Sequence, residues 1–153
     1  MSRRRTDPVI VIPIMGVIRA GHPIPLPDAG TPPLDFLEVP RSAIVPACGI
    51  FGLRVRGDSM VDARVYDGDT IIIKPQNTAA NGDLIVARVH NDPTNPETTF
   101  KRFFYQGDLV YLQPENSSYR ALIVEPKDVE VIGVVVAVWR KSAPGERRVE
   151  MVA

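Results

Sequence analysis

From Phe51 onward the sequence consists of short runs of β-branched and other apolar residues, bounded by turns rich in glycine, aspartate or asparagine. Two of these runs, residues 70–74 (TIIIK) and 84–90 (LIVARVH), directly follow a DGD and an NGD turn. Short apolar runs separated by Asp-Gly or Asn-Gly turns are typical of antiparallel strands. No long stretch has helical periodicity, so no helix-turn-helix is expected. The sequence therefore predicts a mostly β protein, folded as an antiparallel barrel or sandwich.

Proline limits what the first third of the chain can form. The chain contains 15 prolines, and nine of them precede residue 47. Because proline inside a helix removes a hydrogen bond and clashes with the preceding turn, a helical bundle is excluded there. Residues 9–20 are rich in Val and Ile and are predicted to be extended. Residues 21–33 carry five prolines and are predicted to be a linker or extended arm.

The remaining pattern divides the chain into a single domain with two appendages. The predicted strands cover residues 52–56, 70–74, 84–90, 98–105, 109–113 and 129–139, and one short helical turn is predicted near residues 41–44. The division is an N-terminal tail and arm (1–33), a β-rich domain (34–142) and a C-terminal tail (143–153). A length of 153 residues with 44% hydrophobic residues suits one domain with a core.

Charge and cysteine content exclude several classes of function. Lys+Arg and Asp+Glu are balanced at 18 each, which argues against a protein that holds DNA by neutralising phosphates. Cys48 is the only cysteine, so neither an intramolecular disulfide nor a cysteine metal cluster can form. A single cysteine favours a reducing compartment, and we expect a cytoplasmic protein. No metal and no cofactor is expected.

The N-terminus superficially resembles a secretory signal. Three arginines, residues 3–5, precede an apolar stretch at residues 9–18. Pro13 interrupts that stretch, however, and Arg19 stands where a signal peptidase requires a small residue. No run approaches the roughly 18 apolar residues that span a bilayer. We therefore expect no secretion and no membrane partner.

A serine and a lysine are the best candidates for chemistry. Ser59 follows Gly57 and Asp58 at the end of a predicted strand, where a tight turn exposes its hydroxyl, but a serine nucleophile needs a base. Lys101 lies among phenylalanines in residues 99–104 (TFKRFF), and burial lowers the pKa of a lysine towards neutrality. On an alternating strand, Lys101 can instead face solvent while Phe100 faces the core, and the pattern alone slightly favours that arrangement.

A histidine base stays open as an alternative, since a Ser-His-Asp triad needs only one well-placed imidazole. The chain has two histidines. His22 lies in the proline-rich arm, and His90 ends a predicted strand beside a loop. Neither position gives the triad more than thin support.

Taken in order, these motifs resemble those of the LexA/UmuD-type self-cleaving serine peptidases. The matching segments are residues 57–60 (GDSM), 67–69 (DGD), 81–83 (NGD), 99–102 (TFKR), 114–117 (PENS) and 132–135 (IGVV). Each motif is weak alone, but their order and near-family spacing make the resemblance strong, and it extends over about residues 12–141. It implies a LexA/signal-peptidase-like β fold and maps the family's Ser–Lys dyad onto Ser59 and Lys101.

The resemblance also implies a substrate within the same chain. Residues 14–23 (IMGVIRAGHP) are similar to the family's cleavage segment, which places the scissile bond between Ala20 and Gly21. In the implied reaction, neutral Lys101 accepts the Ser59 proton as Ser59 attacks the Ala20 carbonyl. Backbone N–H groups of Asp58 and Ser59 are the expected oxyanion donors.

The partners implied by the resemblance depend on the branch of the family. A homodimer and activation by a RecA–single-stranded DNA filament are expected in either branch. The resemblance implies that C-terminal strands pair across the dimer, and the apolar run of residues 131–139 fits either such a strand or, equally well, a buried central strand. Because no DNA-binding domain is visible ahead of residue 9, the UmuD-like layout is favoured. In that layout the protein acts in the SOS DNA-damage response and serves a Y-family translesion DNA polymerase after cleavage.

Three alternatives stay open. The first is the cleavage and dimerisation half of a LexA-type or phage transcriptional repressor, and the Arg-Ala-Gly-His-Pro segment (residues 19–23) is the more LexA-like feature. The second is a signal-peptidase relative that cleaves other proteins, against which the lack of a membrane segment argues. The third is a β-barrel binding domain without catalysis, against which the presence of both Ser59 and Lys101 argues.

Overall fold

A computed structural model of the chain describes residues 8–19, 30–57, 61–90, 98–114, 120–143 and 146–151. The described residues form ten strands: β1 (Val9–Arg19), β2 (Asp35–Pro40), β3 (Phe51–Arg56), β4 (Thr70–Pro75), β5 (Leu84–Val89), β6 (Thr98–Gln106), β7 (Leu109–Gln113), β8 (Leu122–Val124), β9 (Val129–Ala143) and β10 (Glu146–Met151). The mostly β class predicted from the sequence is confirmed. Within these ranges there is no helix with the length and hydropathy needed to cross a membrane.

The strands belong to one mixed sheet. Its order is β2-β1-β3-β4-β9-β5-β6-β7-β8, with β10 paired to β9. The described pairings are antiparallel except that of β1 with β3, which is parallel. The sequence predicted antiparallel pairing throughout, because tight turns report only on strands that follow one another. A parallel pair needs a crossover, and here β2 and the segment after it carry the chain from β1 to β3.

Strand β9 is the centre of the sheet. It lies between β4 and β5, with Ile72 opposite Ala137 on one side and Ile85 opposite Val134 on the other. Val135, Ala137 and Val138 are buried. A strand covered on both faces is expected to be apolar at successive positions, which explains the Val-rich run of residues 131–139.

Three apolar clusters form the core. The main core joins most of the sheet through its members Ile18, Phe51, Leu53, Val55, Val65, Ile71, Ile73, Leu84, Val86, Phe100, Val135 and Val138. A second cluster forms around Ile85, Phe103 and Leu112 under β6 and β7. A third lies between β1, β2 and β9 around Ile12 and Trp139. β9 therefore contributes residues to every cluster or packs against it.

Three strands, β2, β8 and β10, occur where the sequence predicted none. β2 has one buried residue, Val39, so it lacks the apolar alternation by which strands are predicted. β10 lies within the segment predicted to be a C-terminal tail, and it pairs with β9. The short helical turn predicted near residues 41–44 is present as a 3₁₀ turn over Arg41–Ala43.

Gly133 on β9 is expected to be intolerant of a side chain. A Cβ at this position would lie 2.6 Å from Ile73 Cγ2 and 2.8 Å from the Lys74 carbonyl oxygen. Because backbone cannot move aside cheaply, Gly133→Ala should lower the free energy of unfolding by about 1–3 kcal/mol, measured by urea denaturation. The matched control is Gly52→Ala, whose Cβ would meet the Thr70 methyl at 3.1 Å. Equal stability of the two variants would contradict the expectation.

Candidate active site

The predicted nucleophile and scissile bond lie outside the described residues, but the chain on either side of them is described. Residues 58–60, which include Asp58 and Ser59, fall between two described segments, and Ala20 and Gly21 follow the end of β1. The ends of these described segments therefore define the surroundings of the site. We call residues 57–61, where the sequence predicts a tight turn, the Ser59 turn.

The first end of the Ser59 turn is Gly57. Its φ of 88° is in the left-handed region that glycine adopts without strain. Its backbone N–H donates a hydrogen bond of 2.9 Å to Asp67 Oδ1. The carboxylate of the downstream DGD motif thus holds the residue at which the chain leaves β3.

The second end of the Ser59 turn leads into a 3₁₀ turn over Val61–Ala63. Arg64 follows it with a φ of 60°, the one positive φ at a non-glycine residue in the described part of the chain. Such a conformation costs free energy and persists only where surrounding contacts enforce it. One of these is local, because the Arg64 N–H donates to the Val61 carbonyl at 3.0 Å.

The buried carboxylate of Asp69 organises the segment after the Ser59 turn. Its side chain is 4% exposed. Asp69 Oδ2 accepts the Tyr66 N–H at 2.8 Å, and its two oxygens accept Nε and Nη2 of Arg140 at 3.0 and 2.8 Å. Such a two-pronged arginine–carboxylate pair fixes orientation as well as distance.

Arg140 connects this segment to the central strand β9. Besides holding Asp69, Arg140 Nη2 donates to the Arg64 carbonyl at 2.8 Å, and its guanidinium lies 5.1 Å from the centre of the Tyr66 ring. Neither the importance of Arg140 nor a role for Asp69 was predicted from the sequence. The available indications were the DGD motif itself and a charged residue that ends a long apolar run.

Lys101 lies on β6 with its side chain half-buried. In the register of β5 and β6, Lys101 is opposite Ile85, and Phe100 is opposite Val86. Phe100 belongs to the main core, so Lys101 is on the other face, as the solvent-facing alternative required. That face also carries apolar side chains, because Ile85 and Phe103 are buried there in the second cluster. The lysine stem therefore lies beside apolar side chains.

The strand that carries Lys101 and the Ser59 turn are anchored in the same core. Phe100, next to Lys101, belongs to the main core together with Val55 and Val65. Val55 precedes the Ser59 turn, and Val65 follows it. The described residues thus place the lysine strand and both sides of the turn around one cluster.

The parallel pairing of β1 and β3 holds the first part of the predicted cleavage segment, residues 14–19, beside the strand that leads to the Ser59 turn. Its last register pair is Arg19 with Arg56. Arg19 is bonded to Ala20, and Arg56 is bonded to Gly57, the first residue of the Ser59 turn. Because β1 and β3 run in the same direction, the two adjacent strands end at the same edge of the sheet. The predicted scissile bond therefore follows one of these strand ends, and the Ser59 turn follows the other.

The chain is similar to known proteins over most of its length. Residues 13–136 match the family model described as Peptidase S24-like. The chain is 39% identical over 139 residues to the LexA repressor of Bacillus mycoides, an alignment that covers 91% of this chain and 64% of that protein. It is 41% identical over 138 residues to LexA repressor 1 of Geobacter sulfurreducens, covering 89% and 64% respectively. The chain thus spans less than two thirds of the length of these relatives.

The Asp69–Arg140 pair is expected to be a major contributor to stability. Asp69→Ala removes the carboxylate that accepts from both the Arg140 guanidinium, which is 24% exposed, and the Tyr66 N–H. We expect the free energy of unfolding to fall by about 3–5 kcal/mol in a urea titration. The control is Asp35→Ala, which removes an exposed pair with Arg54 at 3.5 Å and should cost about 0–1 kcal/mol. A loss for Asp69→Ala as small as that of the control would refute the assignment.

Proposed function

Because the chain belongs to the Peptidase S24-like family, we propose that it is the self-cleaving serine peptidase portion of a LexA-type repressor. Ser59 and Lys101 form its dyad, and Ala20–Gly21 is the bond that it cuts. The relatives described above are named LexA repressors, which favours the repressor alternative of the sequence analysis. Nothing in them supports the UmuD-like role with a Y-family translesion polymerase.

The observation that carries this proposal is the parallel register of β1 and β3. Ala20 is one residue beyond Arg19, and Ser59 is three residues beyond Arg56, its register partner. Adjacent strands are about 4.8 Å apart and successive Cα atoms 3.8 Å apart, so the few residues beyond each strand end are long enough for the substrate bond to meet the nucleophile. Their attachment to one sheet gives a high effective concentration without a bimolecular encounter.

The proposed reaction needs only groups of this chain and water. Neutral Lys101 Nζ takes the proton of Ser59 Oγ as that oxygen attacks the Ala20 carbonyl carbon. Backbone N–H groups of Asp58 and Ser59 stabilise the resulting oxyanion. The proton passes to the Gly21 nitrogen as the peptide bond breaks, which leaves Ala20 esterified to Ser59. Water, deprotonated by Lys101, then hydrolyses the ester.

The biological setting proposed here is the SOS response to DNA damage. A homodimer of the repressor, cut in the cytoplasm after contact with a RecA–single-stranded DNA filament, would release its control of transcription. The filament acts by shifting the population towards the state in which the cleavage segment occupies the site. The support is the name of the relatives together with the family.

Self-cleavage tests the dyad and its substrate together. An ordinary lysine has a pKa near 10.4, so raising the pH increases the neutral fraction of Lys101 and should accelerate cleavage without any activator. Intact-mass spectrometry after alkaline incubation should show one fragment ending at Ala20 and one beginning at Gly21. Ser59→Ala should abolish cleavage because it removes the nucleophile. Lys101→Arg should abolish it because a guanidinium does not deprotonate.

The controls for this experiment are a serine and a lysine outside the proposed site. Ser42→Ala and Lys74→Ala alter exposed residues and should cleave at the wild-type rate. Cleavage at another bond would contradict the substrate assignment, and cleavage that survives Lys101→Arg would contradict the dyad.

Activation by RecA separates a LexA-type switch from a constitutive peptidase. At neutral pH, the wild-type chain should be cut slowly alone and at least tenfold faster with RecA, single-stranded DNA and a non-hydrolysable ATP analogue. The reaction without DNA is the matched control. An unchanged rate with the assembled filament would argue against the proposed regulation while leaving the dyad intact.

A further inference from the structure

We infer that Arg140 is a positioning residue, whose guanidinium fixes the backbone of residues 64–66, just after the Ser59 turn, by holding the Asp69 carboxylate and the Arg64 carbonyl at once. This inference rests on the proposed function of Ser59 as the nucleophile. Arg140 itself is not expected to touch the substrate. Its role is to fix the backbone that presents the serine.

The contacts of Arg140 converge on the segment that follows the Ser59 turn. Nη2 donates to both Asp69 Oδ2 and the Arg64 carbonyl at 2.8 Å, and Nε donates to Asp69 Oδ1 at 3.0 Å. The same Asp69 carboxylate accepts the Tyr66 N–H. One planar group therefore fixes two backbone positions, at residues 64 and 66.

The backbone at Arg64 is independent evidence that this segment is held in place. Its φ of 60° is unfavourable for a residue with a side chain, so the free chain would prefer another conformation. The Arg64 carbonyl is the atom that Arg140 holds. Strained residues of this kind cluster at functional sites, and this one lies five residues after the proposed nucleophile.

Arg140 is suited to this role because its own strand is fixed. β9 lies between β4 and β5, and its residues Val138 and Trp139, just before Arg140, are buried. At the other end of the Ser59 turn, Asp67 holds the Gly57 N–H. One carboxylate of the DGD motif thus holds the residue that begins the turn, the other holds Tyr66 in the segment after it, and Arg140 links this second carboxylate to the centre of the sheet.

The decisive variant is Arg140→Lys. Lysine retains the positive charge beside Asp69, but its single nitrogen cannot reproduce the planar fork that reaches the carboxylate and the carbonyl together. Displacement of a catalytic group by about 1 Å can slow a reaction by about a hundredfold. We expect self-cleavage of the folded variant to slow by roughly ten- to a hundredfold.

Two further readouts distinguish positioning from a merely structural role. Because Lys101 is unaltered, the rate should fall by the same factor at every pH from neutral to alkaline, which leaves the shape of the pH profile unchanged. Amide hydrogen exchange at Tyr66 should become faster, since its acceptor is no longer oriented. The folded fraction, measured by urea denaturation, corrects each rate for unfolding.

Two more variants complete the test. Arg88→Lys is the matched control, because Arg88 on β5 makes one 3.2 Å bond to exposed Glu130, and its cleavage rate should equal that of the wild type. Asp69→Asn keeps an oxygen for the Tyr66 N–H but weakens the fork from the other side. It should reproduce the fall in cleavage rate by the same factor at every pH. It replaces Arg140→Lys in the test if that variant does not fold.

The outcomes separate this inference from the proposed function. If the wild type cleaves and folded Arg140→Lys or Asp69→Asn cleaves equally fast, the positioning role is overturned and the proposed function stands. A slowed variant whose pH profile shifts overturns it as well, because the lysine base is then what changed. A wild-type chain that does not cleave at alkaline pH or with the RecA filament overturns both.

Discussion

The parallel pairing of β1 with β3 is the constraint on which the proposed chemistry depends. An antiparallel partner would send the chain after Arg19 away from the Ser59 turn, whereas the parallel register sends both off the same end of the sheet. The pairing is made possible by β2, which returns beside β1 and brings the chain round to β3. In the proposed reaction, the scissile bond and the nucleophile therefore follow the ends of two paired strands, and sheet topology relates them.

The Asp69–Arg140 pair shows a second use of the same framework. Buried ion pairs seldom add stability over an apolar replacement, because desolvation offsets their attraction, so their retention calls for another explanation. Here the pair satisfies a backbone N–H at Tyr66 and a carbonyl at Arg64 that apolar side chains could not satisfy. Its geometric specificity, more than its net energy, suits a segment that has to present a serine.

Local sequence patterns predicted most of the strands, whereas the features that the sequence did not predict depend on contacts between residues far apart in the chain. The turn-bounded runs located β3 to β7 and most of β9, because Asp-Gly and Asn-Gly turns act over a few residues. The β1–β3 pairing and the Asp69–Arg140 bond, which joins residues 71 apart, have no local signature. Lys101 shows the same limit. Alternation correctly placed its side chain on the face of the sheet that Phe100 does not occupy, but only the packed sheet shows that Ile85 and Phe103 are buried on that face.

The end of the β1–β3 ladder also bears on how self-cleavage can be controlled. Its last register pair consists of two exposed arginines, Arg19 and Arg56, and like charges side by side on neighbouring strands weaken the pairing. Upstream, Ile18 and Val55 are both buried in the main core, so the strand itself stays attached. The proposed scissile bond therefore lies one residue beyond a pair that its like charges weaken. Under the proposed function, a weakened pair at this point suits a chain whose self-cleavage is conditional.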